Sequence, residues 1–131
     1  MGKKIKKISS FMLLAVMLAI PVTASAGSYT YSSPVMWHSV AFDGGSYFNV
    51  TASNPSLSSA NQSLYKGGSL GVKYSLVNSS GNTVKSMSKY GAHKNKYWYF
   101  GNMTSGKYKL IATNLYDDDN TGVTLSGQFN Y

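Results

Sequence analysis

The chain has no cysteine, no arginine and no glutamate, and only three prolines. Without cysteine there is no disulfide framework, no lipid attachment at a thiol and no thiolate ligand for a metal. Packing and sheet hydrogen bonds must then hold the fold alone. Arginine is the usual reader of base edges, so its absence argues against nucleic acid as a partner. Histidine is scarce too, at His38 and His93, and the carboxylates are confined to Asp43, Asp117, Asp118 and Asp119. That leaves zinc few ligands to draw on. Long apolar runs are also missing. Residues 11–20 form one run of ten, against the roughly 20 needed to span a bilayer.

The short run reads instead as an export address. Lys3, Lys4, Lys6 and Lys7 precede it, Pro21 ends it, and Ala24-Ser25-Ala26 supplies small residues at a cleavage site. Residues 1–26 are expected to be a signal peptide removed after Ala26. The mature chain, residues 27–131, is sized for one domain with one core. The expected address is secreted and extracellular, with no membrane segment after processing. Cleavage also changes the charge. Of twelve lysines, eight stay, against four aspartates, a net of +4. This modest excess suits either plain solubility or an anionic surface polymer.

The rest is rich in Tyr, Ser, Asn, Gly and Thr, a composition of strands and turns. Alternation picks out the strands. Leu70, Val72, Tyr74 and Leu76 share one face, as do Tyr108, Leu110 and Ala112, and Val123, Leu125, Gly127 and Phe129. Weaker candidates are residues 27–33, 35–42, 46–52 and 83–89. Residues 96–102 and 107–114 are expected to pair as a central hairpin, and 35–42 with 46–52 as another. Residues 54–69, with Pro55, many serines and Gly67-Gly68, read as a long connection between sheets. Seven or eight strands with frequent turns predict an all-β fold, an antiparallel β-sandwich, with a small closed barrel as the alternative.

The motifs that suggest chemistry are weak. Gly67-Gly68-Ser69-Leu70-Gly71 fits the G-x-S-x-G pattern, but a strand follows it where a nucleophile elbow needs a helix. Asp117, Asp119 and Thr121 before Gly122 resemble half of a calcium loop, and Gln128 stands where the closing Glu belongs. A calcium turn at Asp117, Asp118 and Asp119 is weighed against an acidic β-turn bonded to local amides. No cofactor and no catalytic residue is expected, and the chain is not read as an enzyme. The more suggestive mixture is lysine with aromatics. Lys85, Lys89, Lys94 and Lys96 precede Trp98, while Lys107 and Lys109 lie on the next strand. If those strands are neighbours, Lys96, Trp98, Lys107 and Lys109 make a ligand-binding face that stacks on sugars or grips an anionic polymer. Sequence leaves open whether Tyr97 and Tyr99 or Trp98 and Phe100 point inward.

Asn82-Thr83-Val84, the aromatics Tyr97 to Phe100, Ser105-Gly106-Lys107-Tyr108-Lys109-Leu110 and Leu125-Ser126-Gly127-Gln128-Phe129 together resemble secreted bacterial pre-peptidase C-terminal β-sandwich modules. That resemblance covers about half of the mature chain and implies a non-catalytic module. Phe129-Asn130-Tyr131 is similar to the aromatic ending of lactococcin-type secreted bacteriocins. Two functions are therefore expected. One is a freely secreted protein that binds a cell-surface component, either cell-wall polysaccharide or an anionic polymer. The alternative is a bacteriocin or toxin-like protein acting on a competitor's envelope.

Overall fold

Each unbroken run of alternating apolar residues becomes a strand with one buried side, and two sheets share the core those sides make. The computed structural model describes residues 27–117 and 120–131. The expected signal peptide, residues 1–26, lies outside the described residues. Among the described residues nine strands run β1 (Ser28–Met36), β2 (Ser39–Ala41), β3 (Phe48–Val50), β4 (Ser56–Lys66), β5 (Gly71–Asn78), β6 (Thr83–Tyr90), β7 (His93–Tyr99), β8 (Gly106–Asn114) and β9 (Gly122–Asn130). All pairings are antiparallel. One sheet has the order β1-β9-β4-β7. In the other, β8 lies between β5 and the short strands β2 and β3, and β6 closes the far edge.

The all-β, antiparallel expectation holds, and the strand count rises to nine because of β4. The stretch read as a connection is an eleven-residue strand in the interior of the first sheet. Its disguise is a bulge. Leu57 faces the core opposite Phe129, then Ser59 takes a left-handed φ of 48°, and the register with β9 shifts between Ser58 and Asn61. The extra residue resets the alternation, so Ala60 and Gln62 point inward instead of Ser59 and Asn61. Two of the inward residues are small or polar, which hides the strand further.

Neither the central hairpin nor the first one forms. β7 pairs with β4, while β8 pairs with β5 in the opposite sheet. After β7 the chain is held to the segment before β4. Phe100 N–H bonds the Pro55 carbonyl at 2.9 Å, Gly101 N–H bonds Asn54 Oδ1 at 3.0 Å and Met103 N–H bonds the Ser53 carbonyl at 2.9 Å. These bonds lead residues 100–105 across to the other sheet. Similarly, β2 and β3 do not pair with each other. Val40 lies opposite Ala112 and Phe48 opposite Tyr108, both on β8, with a 3-10 turn at Asp43–Gly45 between them. Among consecutive strands only β5 and β6 pair with each other. Their turn is set by Asn78, whose Oδ1 accepts from the amides of Ser80 and Asn82, and by Gly81 at φ 84°.

Phe129 sits at the middle of the core. Phe48, Tyr131 and Phe100 pack against it at ring separations of 5.2, 5.4 and 6.1 Å. Tyr31, Leu57, Tyr74, Leu76 and Leu110 are fully buried around it. Gly27 exchanges two backbone hydrogen bonds with Tyr131, so the first and last described residues lie side by side.

Candidate functional site

The inward face of the first sheet is apolar, and alternation sends everything else outward. What emerges along the four rows that cross it is uncharged. Register rows cross the sheet as Ser28, Asn130, Ser56 and Tyr99, then Thr30, Gln128 and Ser58, then Ser32, Ser126 and Asn61, then Thr124 and Ser63. No lysine or aspartate lies in these rows. The groups are tied to one another. Asn130 Nδ2 donates to Ser56 Oγ at 3.1 Å and Ser58 Oγ at 3.0 Å, and Ser56 Oγ donates to Tyr97 Oη at 3.1 Å. Asn61 Nδ2 donates to Ser126 Oγ at 3.2 Å, and its Oδ1 accepts the Asn95 amide at 2.9 Å. Ser63 and Thr124 hydroxyls meet at 2.5 Å. Such cross-strand bonds fix rotamers before any ligand arrives.

Tyr97 and Tyr99 border this face on the edge strand β7. They are 56% and 59% exposed, with ring centroids 5.0 Å apart. Tyr97 raises the pKa of Tyr99, through side-chain hydrogen bonding first and through its charge second. Both rings present apolar faces with a polar tip. A cavity of ≈ 370 Å³ opens at the corner of the same face, lined by Asn61, Gln62, Ser63, Ala92, His93 and Lys94. The arrangement offers hydroxyls, carboxamides and aromatic planes, with the His93 imidazole and the Lys94 ammonium at the cavity.

The residues expected to bind together are divided. Lys96 and Trp98 are on β7, whereas Lys107 and Lys109 face outward from β8 in the other sheet. Lys109 Nζ instead lies 4.9 Å from the ring of Tyr47. Trp98 points inward at the edge of the core. It touches Tyr74 at 5.9 Å and His93 edge-on at 5.1 Å, and Lys89 Nζ lies 5.1 Å from its ring centroid. The open question of the four aromatics is thereby answered: Trp98 and Phe100 turn in, and Tyr97 and Tyr99 turn out.

Asp117 Oδ1 bonds His38 Nδ1, and Asp118 and Asp119 lie outside the described residues. Among the described residues no three His, Cys, Asp or Glu side chains cluster as metal ligands. His38 is exposed in the break between β1 and β2. Ser69 lies in the exposed link between β4 and β5, with no helix after it. The polar rows escape sequence reading because each of them runs through β4, at Ser56, Ser58, Asn61 or Ser63. The signal that could have found them is the alternating Ser, Thr, Asn and Gln of residues 124–130, whose partner strands repeat it.

No protein-family model matches the chain, and no curated protein matches it.

Proposed function

We propose that the chain is exported, cleaved after Ala26, and acts as a freely secreted, non-catalytic β-sandwich that binds a neutral cell-surface glycan. The outer face of β1-β9-β4-β7 carries the ligand. One observation leads to this reading: four register rows of hydroxyls and carboxamides without a charge, bordered by two exposed tyrosines. Sugar hydroxyls both donate and accept, and Ser, Thr, Asn and Gln answer in kind. Tyrosine rings take the apolar C–H faces of the sugar at small entropic cost. A charged ligand would find no counter-ion in these rows.

Retention of the purified mature protein on insoluble polysaccharides and on isolated cell walls tests this. Y97A/Y99A is expected to lower retention about tenfold or more, since two stacking contacts are removed. Retention is expected to survive added salt, because the face is uncharged. No retention on any of these materials sinks the proposal. Growth inhibition of related strains without retention would favour the envelope-directed toxin instead.

A further inference from the structure

A second surface, with different chemistry, lies along the side where the two sheets part. There β6 is the edge of one sheet and β7 the edge of the other. On β6, Lys85 and Lys89 stand opposite the core residues Leu76 and Val72, so they point to the inner side of an edge strand. On β7, Lys96 lies opposite inward-facing Ala60, on the side that Trp98 occupies. Three ammonium groups and one indole therefore share the gap between the sheets. Lys89 lies over the Trp98 ring, and Lys85 Nζ comes within 3.6 Å of where a Cβ on Gly101 would stand. Lys96, Lys89 and Lys85 thus follow one another beside residues 96 to 101. That is a line of about 15 Å on an extended chain.

Among the described residues no carboxylate pairs with them. The one ion pair found among the described residues joins His38 to Asp117. Inward lysines on edge strands also discourage strand-to-strand aggregation. That role calls for separate charges on each edge. It does not require lysines from both sheets to converge on one half-buried tryptophan.

We propose that this gap is a binding site for an extended phosphodiester polymer of the cell surface, independent of the glycan face. Charge complementarity selects the ligand. Three lysines in a line suit phosphates in a line, and without arginine they act as point charges and not as bidentate readers. Trp98, steadied by Tyr74, His93 and Lys89, packs against the apolar links between phosphates.

The probe is long-chain inorganic polyphosphate, immobilised, with full-length processed protein as analyte. K85Q/K89Q/K96Q is compared with K73Q/K107Q/K109Q, which removes equal charge from the outer side of the other sheet. The first is expected to lose about tenfold or more in affinity, and the second less than about threefold. Equal losses would reduce the effect to net charge and overturn the site, as would no binding by the unaltered protein at low salt. In W37F, Trp98 is the remaining tryptophan. Its emission is expected to change saturably with a poly(glycerol phosphate), whose carbon links can pack on the indole, and to recover at high salt; unchanged emission also overturns the proposal. Y97A/Y99A is expected to leave polyphosphate binding intact, so failure of the glycan reading and failure of this one are seen separately.

Discussion

Two buried tyrosines show how differently one residue type can be used. Tyr74 donates to Gln62 Oε1 at 2.9 Å, and Gln62 Nε2 donates to the carbonyls of Lys89 and Gly91 at 2.9 and 2.8 Å. Gln62, only 1% exposed, thereby ties the middle of one sheet to the point where the chain leaves the other. Tyr31 has no such bond; its Oη is buried without a partner among the described residues. It instead lies against Gly127, where an added Cβ would stand 2.5 Å from Oη. Burial raises the pKa of both phenols, and the charge of Tyr31 adds to the shift at Tyr74. The native state therefore keeps both protonated, whereas in the unfolded chain they ionise near the ordinary value of 10.0. Their contribution is complete below that pH and lost as pH rises above it, by up to about 1.4 kcal/mol per pH unit for each group. Urea unfolding from pH 8 to pH 11 is expected to show this fall (both pH values being about two units or less from the phenol's ordinary pKa). Y31F is expected to cost less than about 1 kcal/mol at neutral pH, since no hydrogen bond is lost, and to make the alkaline slope shallower. A flat profile in the unaltered protein would contradict the burial of these phenols.

Among the elements, β4 is the one whose conformation departs most from its sequence. Its bulge places Ser59 at φ 48°, a region that costs a non-glycine residue roughly 1–2 kcal/mol and a β-branched one more. S59G is expected to be neutral or stabilising by up to about 1 kcal/mol, and S59V to destabilise by about 2 kcal/mol. Equilibrium unfolding decides it; an S59V variant as stable as the parent would remove the bulge from the account. The same bulge explains what could be read beforehand. β5, β8 and β9 keep an unbroken two-residue period, so their buried faces follow from Leu70 through Leu76, from Tyr108 through Ala112 and from Val123 through Phe129. β4 loses its period at Ser59 and turns polar Gln62 inward, so it read as a loop. Alternation also says which side of a strand is buried, and not which sheet the strand joins. Lys107 and Lys109 were therefore put beside Trp98, although β8 belongs to the other sheet. The polar outer face is hidden for the same reason: its rows exist only once β4 lies between β9 and β7.

For the whole molecule, the consequence of this connectivity is kinetic. Apart from the β5–β6 hairpin, strands pair with partners distant in sequence, and β1 with β9 joins the two ends of the described chain. Loop-closure entropy must be overcome before such contacts stabilise anything. No disulfide shortens the loops, because the chain has no cysteine. Refolding is therefore expected on the millisecond-to-second scale typical of non-local β topologies, and to be unaffected by reductant. The hairpin is the one cheap place to begin. Asn78 holds its turn through two side-chain bonds to backbone amides, and β5 then offers its other side to β8. N78A is expected to destabilise by about 1 kcal/mol and to slow folding by nearly the whole of that amount, with little change in the unfolding rate. S59V, placed on a strand that needs distant partners on both sides, is expected to act mainly by speeding unfolding. Chevron analysis of the two variants compares them directly. If N78A instead speeds unfolding and S59V slows folding, the nucleus lies in the first sheet, and the hairpin forms late.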